Sequence, residues 1–226
     1  FCVHLDHAVD LDQIKRAIAA GFTNVMIDAS KEPYEVNIQK SKEIAEFAHR
    51  YSPYGADGCS VEAELGMLAG REEHVQVSEE DAGKAYTDPT LVPRFVEETG
   101  IDALAVAIGT AHGFYKAAPK IRFDLLDEIR KCTDIPLVLH GGTGVPDEDF
   151  RKCVAMGMSK INVGTGLKKV YTDAVRQAIC DLPDTEYDPR KIVGPGRHAI
   201  MEEIAGKCDL FNCTGTAEKI LQSIYG

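Results

Sequence analysis

Residues 135–157 read Ile135-Pro136-Leu137-Val138-Leu139-His140-Gly141-Gly142-Thr143-Gly144-Val145-Pro146-Asp147-Glu148-Asp149-Phe150-Arg151-Lys152-Cys153-Val154-Ala155-Met156-Gly157. Pro136 to His140 is a short apolar run of the kind that builds a strand, and the glycine-rich turn Gly141 to Gly144 follows it directly. Pro146-Asp147 then stands where a helix starts, and Gly157 where one stops. A strand, a tight turn and a covering helix in that order make one β-α unit of a parallel sheet.

The same unit recurs along the chain. Strands are expected at Phe1 to His7, Asn24 to Ala29, Cys59 to Leu65, Ala103 to Gly109 and Lys160 to Val163, each followed by a polar or glycine-containing turn and an amphipathic segment. Apolar residues three and four apart, as in Ile14, Ala17, Ile18 and Ile44, Phe47, Ala48, mark helices that cover a sheet. Asp10 and Asp12, Thr87-Asp88-Pro89 and Gly21 and Gly100 supply matching start and stop signals. Six β-α units leave two α/β readings: an open doubly wound sheet, or a (β/α)8 TIM barrel whose first two units are lost ahead of Phe1, where the sequence opens without Met. Polar and acidic residues recur at the C-terminal ends of many strands, as a barrel active site requires, so the barrel is preferred. It is expected to be a single domain over residues 1–226 with a helical extension from about residue 187 to 226. Tyr51 to Gly58 and Gly70 to Lys84 are the longest irregular stretches, and the second reads as a mobile active-site loop.

With 226 residues, 44% hydrophobic and 27% charged, the chain can enclose a sizeable core. Its net charge of -11 speaks against a nucleic-acid or acidic-membrane partner, although a local Lys/Arg cluster could still hold phosphate. Seven single cysteines, with no CxxC pair, suggest neither a disulfide framework nor a cysteine-rich zinc module and fit a reducing cytoplasm. No apolar run approaches the ~20 residues needed to span a bilayer, and no charged-then-apolar leader is read before the first strand.

Three histidines stand at strand ends: His7, His112 in Gly109-Thr110-Ala111-His112-Gly113, and His140. Each alone reads as an ordinary polar strand-end residue; together, three imidazoles with an open fourth position make a catalytic zinc site. His49 and His198 lie in helical stretches, His74 in the long loop, and alternation turns His4 to the strand face opposite His7. Asp6, Asp28, Glu62 and Glu64 occupy the same rim, the two glutamates on one strand face, where they serve either chemistry or structural ion pairs. Gly141 to Gly144 and Val163 to Gly166 are bland β-α turns or phosphate cradles of backbone N–H groups, and their place after the last two strands favours phosphate. Lys116 and Arg190 could add positive charge.

The motifs His-Leu-Asp-His, Val-Met-Ile-Asp-Ala-Ser, Val-Glu-Ala-Glu-Leu-Gly, Gly-Thr-Ala-His-Gly, Leu-His-Gly-Gly-Thr-Gly and Lys-Ile-Asn-Val-Gly-Thr occur in this order from Phe1 to about Ile204. In them the sequence resembles class II fructose-bisphosphate and tagatose-bisphosphate aldolases. The resemblance implies a cytoplasmic, dimeric or tetrameric zinc lyase that cleaves a ketose bisphosphate into dihydroxyacetone phosphate and glyceraldehyde 3-phosphate. It implies His7, His112 and His140 as zinc ligands, with Glu64 and Asp28 at a second or displaced metal position. Asp6 would exchange a proton with the C4 oxygen, Glu72 in the loop would move the proton at the dihydroxyacetone-phosphate carbon, and Asn162 would hydrogen-bond the nascent enediolate. Gly113, Lys116, Gly141, Gly142, Thr143, Asn162, Val163, Gly164 and Thr165 match the part of the site that holds dihydroxyacetone phosphate. Arg190 would reach the second phosphate from a neighbouring subunit, and a monovalent cation (Na+ or K+) would sit on main-chain carbonyls nearby. Arg71 departs from the usual Gln or Glu, which loosens the loop register. A zinc-dependent sugar-phosphate isomerase or epimerase, and a catalytically silent sugar-phosphate sensor or scaffold, are the alternatives. The preferred C4 epimer is not legible.

Overall fold

A computed structural model of the chain describes residues 2–51, 53, 58–67, 69–70, 86–113, 115 and 119–225. Six strands form one parallel sheet in the order β1 (His4–Ala8), β2 (Asn24–Ile27), β3 (Ser60–Leu65), β5 (Ala103–Val106), β7 (Leu137–Leu139) and β8 (Met158–Ile161). Two short strands, β4 (Ala69–Gly70) and β6 (Ala111–His112), pair separately. The covering helices are α1 (Leu11–Ala19), α2 (Tyr34–Tyr51), α3 (Val92–Thr99) behind a 3-10 turn at Pro89–Leu91, α4 (Phe123–Cys132) and α5 (Asp147–Ala155). Three more helices follow β8: α6 (Thr165–Asp181), α7 (Pro189–Leu210) and α8 (Ala217–Tyr225).

Local chemistry explains the element ends. The Asp10 carboxylate accepts from the Asp12 and Gln13 amides at the start of α1, and Asp188 accepts from Arg190 at the start of α7, each satisfying donors that a first helical turn leaves open. Gly100 closes α3 in the left-handed region at φ 65°. The last strand begins two residues earlier than expected from the sequence. Gly157, at φ 98°, turns the chain straight into it at the buried Met158, and the polar Ser159 and Lys160 concealed that start.

Strand register decides which residues share a face, because directly paired residues of parallel strands point the same way. Val25, Ile27, Val61, Ala63, Leu104, Leu137 and Leu139 face the helices and pack on Ile14 and Ile18 of α1, Ile44 and Ala48 of α2, Leu126 and Ile129 of α4 and Phe150 of α5. Each Val, Ile, Leu or Phe among them removed from water stabilises the fold by roughly 1.5–3 kcal/mol. Phe211, just past α7, meets Phe150 edge-to-face at 5.1 Å and ties the C-terminal helices to this layer.

The other face carries a different set. Met26 pairs with Glu62, Glu62 with Ala103, Glu64 with Ala105, Ala105 with Val138 and Val138 with Lys160. Glu62 and Glu64 therefore do share one face. The sheet curls around it: Lys160 of β8 reaches Glu62 of β3 across two intervening strands, with Nζ to Oε2 at 2.9 Å, and Asn162, one residue past β8, reaches Asp6 of β1 at 3.2 Å. This is an α/β fold with a curled parallel sheet, and the C-terminal ends of its strands converge.

Candidate active site

At the end of β1 the strand breaks its alternation. His7 sits at φ 46° and the β1–β2 register slips between Leu5 and Ala8. A non-glycine residue held in the left-handed region costs roughly 1–3 kcal/mol and persists only where its surroundings enforce it. The slip lets the neighbours Asp6 and His7, which a regular strand would point to opposite faces, both reach the site. His4, two residues before Asp6 and on its strand face, was set apart in the sequence reading yet belongs to the site: its Nε2 lies 3.2 Å from Asp6 Oδ1, and both residues line the same cavity.

His7, His112 and His140 come together from the ends of β1, β6 and β7. One ring nitrogen of each lies within 4.8 Å of the others. His7 Nε2 faces His140 Nδ1 at 2.9 Å, and the His7 and His112 rings meet edge-on at 4.7 Å. His7, Asp28 and Glu64 form a second group within the same 4.8 Å, with the His7 Nδ1 hydrogen bonded to Asp28 Oδ2 at 3.0 Å. Two facing imidazole nitrogens need a proton or a cation between them. This donor set fits a divalent ion: three nitrogens leave a fourth position open, which is how a catalytic zinc site is built.

The electrostatics agree. Burial, together with the neighbouring imidazoles of His7 and His140, pushes His112 down to about 4, so its lone pair is available at neutral pH. Burial opposes charge on His7 as well, but its bond to Asp28 and the negative charges of Asp6, Glu64 and Asp28 outweigh that and raise its pKa. Asp6 is held ionised well below the usual carboxylate range, because the His4 bond and the neighbouring imidazoles of His140 and His7 overcome its burial. Asp28 is lowered in the same way, against its burial, by His7 and by the hydroxyl and amide of Ser30.

A cavity of about 310 Å³ opens beside the histidines. It is lined by His4, Asp6 and His112 together with Gly113, Gly141, Gly142, Thr143 and Ile161 to Thr165. Asn162 links two of the candidate site residues, its amide donating to Asp6 Oδ1 and to His140 Nδ1, each at 3.2 Å. The two glycine turns are tied together: the Gly142 amide donates to the Asn162 carbonyl at 3.0 Å and the Gly166 amide to Thr143 Oγ1 at 2.9 Å. Those two amides are thus committed within the protein. The second of them belongs to the first turn of α6, where Thr143 Oγ1 stands in for the side-chain cap that Gly164 lacks, and the positive end of the helix dipole there still favours an anion.

Tyr115 escaped the sequence reading, and Glu62, read there among the rim acids, was not matched to its partners. Tyr115 accepts the Ala111 amide at 2.5 Å and donates to the Gly141 carbonyl at 2.9 Å, joining the segment that carries His112 to the turn after His140; burial pushes its phenol up to about 12. Glu62 accepts from His140 at 2.7 Å below the cavity. A tyrosine three residues past a histidine, or one acid of two on a strand, carries no sequence signal of such a role. Glu72 and Lys116 lie outside the described residues, as do Arg71, His74 and most of the two irregular stretches. Arg190 is 88% exposed and paired with Asp188 at 2.8 Å, and it does not line this cavity.

Residues 1–216 match the family model described as fructose-bisphosphate aldolase class-II. The chain is 47% identical to the fructose-bisphosphate aldolase of Geobacillus stearothermophilus, over 95% of its own length and 71% of that protein. It is 44% identical to the fructose-bisphosphate aldolase of Staphylococcus aureus strain Mu50, over 96% of this chain and 72% of that one. Among solved structures it is similar to the YdjI aldolase of Escherichia coli K12, with a TM-score of 0.77 at 34% identity, covering 95% of this chain and 70% of that one.

Proposed function

Since the chain belongs to the class II fructose-bisphosphate aldolase family of lyases, we propose that it is a zinc-dependent enzyme that reversibly cleaves the C3–C4 bond of fructose 1,6-bisphosphate to dihydroxyacetone phosphate and glyceraldehyde 3-phosphate. The observation that carries this reading is the convergence of His7, His112 and His140 beside a cavity walled by two glycine turns. In the same reading the curled sheet is the greater part of a (β/α)8 barrel forming one domain with the C-terminal helices.

His7 Nε2, His140 Nδ1 and one nitrogen of His112 would hold the ion, and Asp28 and Glu64 would offer a second position for it. A zinc ion so held supplies Lewis acidity toward the C2 carbonyl and C3 hydroxyl oxygens, stabilising the negative charge left when the C3–C4 bond breaks. Asp6, kept ionised by its histidine neighbours, accepts the proton from the C4 hydroxyl during cleavage and returns it during condensation. The Asn162 amide, held between Asp6 and His140, donates to a substrate oxygen where charge develops. The start of α6, with Val163, Gly164 and Thr165, receives the phosphate next to the reacting carbons. Gly113, Gly141, Gly142 and Thr143 shape the cavity, and fixing the phosphate orients the bond to be broken. Glu72 as the acid at the dihydroxyacetone-phosphate carbon and Lys116 as a phosphate contact complete the proposal. So do Na+ or K+ on nearby carbonyls and Arg190 acting across a homodimer or homotetramer.

A coupled assay on fructose and tagatose 1,6-bisphosphates, with and without a chelator, tests this. Chelator-sensitive release of triose phosphate from the fructose compound, restored by zinc, is expected. Cleavage that ignores the chelator, or isomerised product without triose phosphate, contradicts it.

A further inference from the structure

Glu62 is fully buried on the inner face of the sheet, below the cavity rather than in its wall, and both of its oxygens are committed. Oε1 accepts from His140 Nε2 at 2.7 Å, and Oε2 accepts from the Lys160 ammonium at 2.9 Å. An ionised carboxylate only accepts, so the hydrogen of the His140 ring is on Nε2 and the lone pair is on Nδ1. Nδ1 is the atom that faces His7 Nε2 at 2.9 Å and the Asn162 amide at 3.2 Å. Asp28 does the same for His7 from the other nitrogen. The difference lies beneath His140. Lys160 is about one-third exposed, and its side chain runs inward from β8 to place the balancing charge on a carboxylate that is otherwise sealed from water.

We propose that Glu62 and Lys160 act as a pair of positioning residues for the metal centre, Glu62 fixing the tautomer and ring plane of His140 and Lys160 holding Glu62 in register across the curled sheet. This rests on His140 being a metal ligand, as proposed above. The geometry argues for a role beyond an ordinary ion pair. The two residues come from strands that are not neighbours, they meet under one histidine, and Lys160 lies two residues before Asn162, which contacts the same ring from above. Partners of this kind hold a ligand ring at the angle the ion needs, and losing one typically weakens metal affinity about ten- to a hundredfold.

The test uses the full chain stripped of metal and titrated with Zn2+ against a competing chelator, and with Co2+ followed by its visible absorption. Glu62→Gln and Lys160→Met are each expected to lower Zn2+ affinity about ten- to a hundredfold and to change the Co2+ spectrum. Lys160→Arg should restore most of both. Unchanged Zn2+ affinity and Co2+ spectrum in the two variants would overturn the positioning role. If Glu62→Gln does not fold, Lys160→Met decides by the same two readings. A His140→Ala control separates the levels. If it loses zinc while the other variants keep it, only the positioning role falls; if it binds zinc as the parent does, the ligand assignment falls as well.

Discussion

Replacing Gly141 by alanine strains the backbone at the point where two candidate ligands meet. Gly141 follows His140 at φ 71°, and a Cβ built there would collide with the backbone of Ala111, the residue before His112. The left-handed conformation costs an alanine roughly 1–2 kcal/mol, and crowding packed backbone adds about 1–3 kcal/mol. The sum, roughly 2–5 kcal/mol, corresponds to a fall in Tm of about 5–20 °C for a chain of this size. Relief of the collision must push the His112 and His140 segments apart, and a displacement near 1 Å in such a site costs about 100-fold in rate. Gly100 is the internal control: it has φ 65°, but nothing lies within 4 Å of its built Cβ. Gly100→Ala should lose only the conformational part, about 1 kcal/mol once the stiffer unfolded chain is counted, and keep full activity. Thermal melting and kcat/KM of both variants decide. Equal losses in the two would mean that contact between the Gly141 and Ala111 segments does not hold the histidines in place.

Asp6→Asn should lower kcat by about 10²–10⁴-fold with metal content unchanged, measured by steady-state kinetics and metal stoichiometry, and normal turnover would remove Asp6 from proton transfer. Because the pKa of His7 is raised and that of His112 is pushed down to about 4, an incoming ion must displace a proton from His7 but not from His112 at neutral pH. Zn2+ affinity should therefore fall as pH drops through the raised pKa of His7, approaching about tenfold per unit, and level off above it. Calorimetry in buffers of different ionisation heat would show the released proton, and affinity that does not vary with pH would count against His7 as a ligand. Thr87 is buried and receives the Ala107 amide at 2.8 Å while donating to the Leu65 carbonyl. Thr87→Val, which strands both partners, should cost roughly 2–5 kcal/mol in denaturant unfolding.

The β-α order was legible because the helix-facing layer is built from short Val, Ile and Leu runs, while Ile14, Ile18, Ile44 and Ala48 repeat at helical spacing. Glu62 and Glu64 fell on one face as period-two alternation requires, and Asp10, Asp88 and Gly100 marked helix and turn boundaries where expected. What failed did so for physical reasons. The left-handed φ of His7 breaks the alternation that would point it away from Asp6, so Asp6 and His7 serve one site and His4, on the face of Asp6, lines its cavity. Long-range partners such as Glu62 with Lys160, or Tyr115 with Gly141, follow from how far the sheet curls, a property that no local spacing encodes. The phosphate cradle was read from glycines alone, yet the Gly142 and Gly166 amides bind their own protein and are not open to an anion. Glu72 was reached only through family resemblance.

The most direct measurement is anomalous diffraction at the zinc edge from crystals of the zinc-loaded chain. One peak about 2.0–2.1 Å from His7 Nε2, His140 Nδ1 and a nitrogen of His112 is expected. A peak elsewhere, or a fully loaded protein in which these three side chains bind no metal, would contradict the metal centre on which the proposed catalysis depends.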